Sequence, residues 1–164
     1  MIGRSETDRA VSIAITHVLT IAITTVLISG LLISAGSLLA GETDRSAQRS
    51  LDTIGERLSG EISSVERLAA DGEAETVRLT VEHPSMVASE RYTVTLYNST
   101  DSDVCADDAP LLTGDTNCMH LQTQSGSVDV YVPVTADVDD ESSVAGGTIT
   151  IVYEDDQITL ERGT

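Results

Sequence analysis

Residues 11–40 read VSIAITHVLTIAITTVLISGLLISAGSLLA, and no charged side chain falls between Ala10 and Ala40. At 1.5 Å per residue, a helix over this run is about 45 Å long, more than the roughly 30 Å hydrocarbon core of a bilayer. A buried core helix of that length does not suit a chain of 164 residues. The run is also about twice the apolar region of a secretory signal, so it predicts a membrane helix that stays with the protein. The ten residues before it, MIGRSETDRA, form a short charged leader or cytoplasmic stub.

Beyond the run the hydropathy pattern changes. Leu51, Ile54, Leu58, Ile62, Val65 and Leu68 recur at three- and four-residue steps with Arg, Glu, Asp and Ser between them, which predicts an amphipathic helix over 42–70. Gly41, Gly55 and Gly60 weaken it and allow a bend or break near Gly41, and Asp71-Gly72 is a stop signal. After Gly72 the period becomes two. Val77/Leu79/Val81, Thr93–Leu96, 128–134 and 147–153 (Ile149, Ile151, Tyr153) read as strands, and Glu154-Asp155-Asp156-Gln157 leads into Ile158-Thr159-Leu160 as a closing hairpin.

The expected fold class is therefore α+β. A long N-terminal hydrophobic helix continues into an amphipathic helix, which packs on a small antiparallel β-sheet or sandwich of five or six strands. The organisation is a leader at 1–10, a hydrophobic helix at 11–40, an amphipathic helix at 41–71 and an acidic β domain at 72–164. With no Phe, no Trp and only four Tyr, the core of that domain must be built from Val, Leu and Ile.

The net charge is −18, and because Arg4 and Arg9 balance Glu6 and Asp8, nearly all of the excess lies after the hydrophobic run. All nine basic residues are Arg, and Lys is absent. A surface so rich in carboxylates repels itself unless dense counter-ions screen it, which fits a domain that works in concentrated salt; calcium binding is the rival explanation. A polyanion without a basic stripe or aromatic platforms cannot neutralise phosphates, so no nucleic-acid partner is expected.

Cys105 and Cys118 lie in a polar stretch without His at ligand spacing, which favours a disulfide over a metal site; a pair of free thiols is the alternative. The arginines flanking the hydrophobic run, Arg4 and Arg9 before it and Arg45 and Arg49 after it, blunt the positive-inside argument. Orientation rests instead on the cysteine pair, the acidic bulk and the glycosylation sequon Asn98-Ser99-Thr100, which together place the C-terminal domain outside a single-pass cell membrane anchor.

Within the run, Ser12, Thr16, Thr20 and Thr24 recur every four residues, and Gly30/Ser34 and Ser37/Gly41 are pairs of small residues at the same spacing. Such faces let helices approach closely, although Ser and Thr also bond readily to carbonyls of their own helix. His17 is the sole ionisable group there; it suits a hydrogen bond to a neighbouring helix more than proton transfer. Two acidic clusters, Asp101/Asp103/Asp107/Asp108 and Asp137/Asp139/Asp140/Glu141, lack the spacing and turn glycine of an EF-hand and read as solvated loops. His83 and His120 stand isolated in sequence, and no nucleophile–base pattern, phosphate loop or metalloprotease motif is present, so neither an enzyme nor a cofactor is expected.

The junction Asp8-Arg9-Ala10 followed by Val11-Ser12-Ile13-Ala14-Ile15 resembles the class III signal of archaeal type IV pilins and archaellins, and the first 40 residues resemble the N-termini of pilin-like proteins of halophilic archaea. The family's pattern has Pro after the Ser, where this chain has Ile13, and a Val-Ile-Gly next, where this chain has Ala14-Ile15-Thr16. The resemblance implies cutting at Ala10–Val11 by a prepilin-type signal peptidase. It further implies a minor, pilin-like structural or adhesion subunit that partners other pilin-like subunits through its N-terminal helix in a surface filament. The alternative is a permanently anchored envelope protein whose β domain binds a partner or senses a ligand without polymerising.

Overall fold

The computed structural model describes residues 4–72, 75–99, 104–105, 116–139 and 142–163, with side chains placed from Ala14 onward in the helix. One helix, α1 (Arg4–Gly72), precedes seven strands: β1 (Thr76–Glu82), β2 (Tyr92–Tyr97), β3 (Cys118–Thr123), β4 (Asp129–Pro133), β5 (Ser143–Ala145), β6 (Thr148–Glu154) and β7 (Gln157–Arg162). The architecture is α+β, as the sequence predicts. The chain divides into two compact units, Met1–Glu42 and Thr43–Thr164. The bounds of α1 run through Gly41, Gly55 and Gly60 and end at the Asp71-Gly72 stop.

In the second unit the strands form two antiparallel sheets. One has the order β1-β6-β7 and the other β4-β3-β2-β5. β1 and β2 are consecutive in sequence but lie in different sheets, and the chain returns to the first sheet between β5 and β6. Ser142 ties the two sheets together: its Oγ accepts from the Leu160 N–H at 2.7 Å, and its carbonyl accepts from the Leu96 N–H at 2.9 Å. Two strands escaped the sequence pattern. β3 is Cys-Met-His-Leu-Gln-Thr, with no β-branched residue before its last, and β5 is only three residues long.

Helical residues 47–69 bury one face on the sheets: Ala47, Leu51, Ile54, Leu58, Ile62, Val65 and Ala69 are all buried. Leu68, which the periodicity assigned to this stripe, is 61% exposed, because the four-residue step from Val65 reaches Ala69 instead. The facing side is aliphatic, with Val94, Leu96, Met119, Leu121, Ile149, Ile151 and Ile158 fully buried. Ser59 Oγ adds a polar tie, donating to the Pro133 carbonyl at 2.9 Å.

The β6–β7 hairpin closes on Asp155 and Asp156, at φ 53° and 64°, which is the pair of left-handed residues that a two-residue type I′ turn requires. The β1–β2 connection holds a second such turn, in which Val87 and Glu90 exchange both backbone hydrogen bonds at 2.8 Å around Ala88 and Ser89, again at positive φ.

Tyr92 is the largest fully buried side chain, and its hydroxyl donates to the Pro84 carbonyl at 2.7 Å. Burial raises its pKa above the ordinary tyrosine value, and hydrogen bonding with the Gly147 backbone pulls it only partly back. A phenol whose folded pKa is raised stabilises the fold fully below its unfolded value near 10 and loses that contribution as pH rises through the folded value. Tyr92→Phe is therefore expected to cost about 1 kcal/mol at pH 7 through the lost hydrogen bond. The same variant should decline less steeply than the parent above pH ~10. With Lys absent, ammonium side chains do not obscure that window. Urea midpoints from pH 7 to pH 11 check it, and parallel curves for parent and variant would contradict it.

Candidate functional site

The surface that most needs an explanation is the described part of the first unit. Every described residue from Ala14 to Ala40 is exposed, its large apolar side chains ranging from Ile23 at 52% to Ile33 at 75%. In water each such Leu, Ile or Val forfeits about 1.5–3 kcal/mol relative to burial. A would-be Cβ at Gly30, Gly36 or Gly41 meets nothing within 4 Å among the described residues. The helix is long and apolar enough to cross a membrane once.

Its polar groups are arranged for that environment. Thr20 Oγ1 donates to the Thr16 carbonyl at 2.8 Å, Thr24 Oγ1 to the Thr20 carbonyl at 2.7 Å and Thr25 Oγ1 to the Ile21 carbonyl at 2.8 Å. Thr20 and Thr24 of the hydroxyl stripe thus satisfy themselves within the helix and cost little in lipid. Gly30 and Ser34 lie exposed on the helix, as does His17. The side chains of the junction residues Asp8, Arg9, Ala10, Val11 and Ser12 lie outside the described ones.

The second unit holds polar clusters whose geometry is that of clamps. Glu61 Oε1 accepts from Arg57 Nε at 3.1 Å, while Glu61 Oε2 lies 3.2 Å from His83 Nε2. The His83 side chain is 1% exposed and the Glu61 side chain 19%. The His83 N–H also donates to the Gly147 carbonyl at 3.1 Å. His83 is thus not isolated: it joins the helix to the chain segments that cross between sheets. His120 stacks on Tyr131 at 4.4 Å and 6° between planes, with Asp129 at 4.0 Å from its Nε2.

Cys105 and Cys118 form a disulfide. Beside it, Asn117 Oδ1 accepts from the Ser99 N–H and Asn117 Nδ2 donates to the Ala136 carbonyl, both at 2.9 Å. Asn98, the sequon residue, is half-buried, and its Nδ2 donates to the Val138 carbonyl at 3.1 Å. A glycan on that nitrogen requires attachment before this contact closes, or its opening. Of the two acidic clusters only Asp137 and Asp139 are among the described residues. No group of three or more metal-ligating side chains occurs among the described residues.

What these parts supply chemically is an apolar helix exposed from Ala14 to Ala40 and an acidic β domain cross-linked by a disulfide. The sequence disclosed the helix and the disulfide. It did not disclose the His83–Glu61 clamp, whose members are 22 positions apart and carry no local pattern. A family model described as a family of unknown function, DUF7266, matches residues 6–162, covering the apolar helix together with the β domain. No curated protein and no solved structure matches the chain.

Proposed function

We propose that this chain, which belongs to the DUF7266 family of unknown function, is a pilin-like structural subunit, anchored by its N-terminal helix and assembled through that helix into a surface filament. The observation that carries the reading is the apolar helix from Ala14 to Ala40, exposed throughout, preceded by the charged junction at Ala10–Val11. Before cutting, the charges of Arg4, Glu6, Asp8 and Arg9 hold the leader end of the helix at the membrane surface. Cutting after Ala10 removes all four, so the helix can leave the bilayer lengthwise and bury its apolar surface among copies of itself.

Gly30 and Ser34 then serve as close-approach positions between helices. The disulfide supports a head in an oxidising compartment outside the cell membrane. The carboxylate-rich, Lys-free surface supports a head that faces brine, where it keeps the filament hydrated or meets a surface in adhesion. The match of one family model to helix and head together supports a helix retained with the domain rather than discarded as a signal.

The test is the N-terminal sequence and intact mass of the protein from native membranes and from sheared surface filaments. The expected mature start is Val11. Ala10→Trp, which presents a bulky residue at the cut, is expected to leave the leader in place and to abolish recovery in filaments while the protein stays in the membrane. A parent chain starting at Met1 or Ile2 would make it a fixed membrane anchor. Filament recovery unchanged by Ala10→Trp would equally overturn the reading.

A further inference from the structure

We infer that the β domains of two copies meet head to tail, with the acidic β6–β7 turn of one copy seated in an arginine pocket of the next; this rests on the assembly reading above and names its contact. The pocket has a volume of about 350 Å³ and is lined by Ser85, Arg91, Tyr92, Gly146, Thr148 and Arg162, among others. It lies where the chain passes between the sheets. Arg91 follows the Val87–Glu90 turn, and Arg162 lies at the open end of the β6–β7 hairpin, opposite Ile149. The floor is close-packed: the Gly146 N–H donates to the Tyr92 carbonyl at 2.9 Å, and a Cβ at Gly146 would collide with the Tyr92 ring.

The charge state of this pocket is out of keeping with the rest of the chain. Acidic residues outnumber arginines 27 to 9, yet neither the Arg91 nor the Arg162 guanidinium has an ion-pair or hydrogen-bond partner among the described residues. The acids beside them in sequence are committed elsewhere. Glu90 accepts from Ser125 Oγ at 2.7 Å, and Glu161 pairs with Arg78 at 2.9 Å. Two guanidinium groups that line one concavity without a partner among the described residues are a receptor for carboxylates, which they bind through paired N–H donors.

The matching carboxylates are on the same hairpin. Glu154, Asp155 and Asp156 form its tip, beside Glu75, and all four line a second cavity. β6 separates the two ends, its seven residues spanning roughly 20 Å. The hairpin thus carries carboxylates at its turn and, at its open end, Arg162, which has no partner among the described residues. A contact between two different patches is heterologous, and repeated it gives an open chain of subunits rather than a closed dimer. At molar salt, where the screening length is about 3 Å, repulsion between the acidic surfaces fades and pairs in direct contact are what remains to set the register.

Both cysteines are in the disulfide, so engineered thiols report without interference. Ser85 lines the pocket and Gln157 follows the acidic turn, and both are exposed. Two differently tagged full-length chains, S85C and Q157C, are co-expressed, and the surface fraction is oxidised. The mixed disulfide is expected to exceed either like-with-like disulfide by about ten-fold, and R91Q/R162Q is expected to remove that excess. D155N/D156G, which keeps the type I′ turn while removing its charge, should weaken it as well, and R91E/R162E in one copy should be rescued by E75R/E154R in the other. Equal mixed and like-with-like yields, or an excess indifferent to R91Q/R162Q, would overturn the contact. Filaments of subunits that start at Val11 but lack the cross-link sink this contact alone, whereas an uncut N-terminus without filaments sinks the assembly reading.

Discussion

Replacing Cys105 and Cys118 by Ser together is expected to lower the stability of the β domain by about 3 kcal/mol, the loop-entropy value for a closed loop of roughly 14 residues. Cys118 opens β3 opposite Pro133 and is fully buried, and Cys105 is buried against the same end of the sheet. Without the cross-link, the described ends of the β2–β3 connection keep the side-chain contacts of Asn98 and Asn117. Urea unfolding of the full chain with and without reductant separates the cross-link from the substitution. Reductant should bring the parent to the midpoint of the Ser variant and leave that variant unmoved. A difference under about 1 kcal/mol would mean that the hydrogen bonds of Asn98 and Asn117, not the covalent bond, hold this end of the sheet.

The parts legible in the sequence are those whose signal is local. An uncharged run as long as 11–40 has few structural meanings, and the steps through Leu51, Ile54, Leu58, Ile62 and Val65 name one helix face. Strands with alternating aliphatics, such as Thr76–Glu82 and Thr148–Glu154, announce themselves by period. The misses are of two kinds. β3 is buried on both faces over Cys118 and Met119, so its residues do not alternate, and β5 is too short to carry a period. The partition into two sheets, the His83–Glu61 clamp and the pocket that Arg91 and Arg162 both line all depend on which distant segments become neighbours. In this chain those crossings occur between β1 and β2 and between β5 and β6, where the sequence gives turns but no destination.

The glycines of the amphipathic segment carry opposite expectations, although the sequence presents them alike. A Cβ at Gly60 meets nothing within 4 Å, so Gly60→Ala only removes the conformational freedom that glycine brings to a helix and is expected to stabilise the domain by about 0.8 kcal/mol. Gly55 is buried where the helix crosses the four-stranded sheet, and a Cβ there would stand 2.6 Å from Val132 Cγ2 and 3.0 Å from Leu121 Cδ1. The helix-propensity gain is then opposed by overpacking of about 1–3 kcal/mol, so Gly55→Ala is expected to destabilise by about 1 kcal/mol and Gly55→Val by about 3 kcal/mol. Removing the opposing methyl groups should reverse the sign of the effect: Val132→Ala destabilises alone by opening space, but in its presence Gly55→Ala fills that space and becomes stabilising. A double-mutant cycle on urea midpoints measures this as a coupling above about 1 kcal/mol. Additive effects at 55 and 132 would mean that the helix shifts off the sheet to admit a side chain. In that case the close approach at Gly55 would not be what seats the head on its helix.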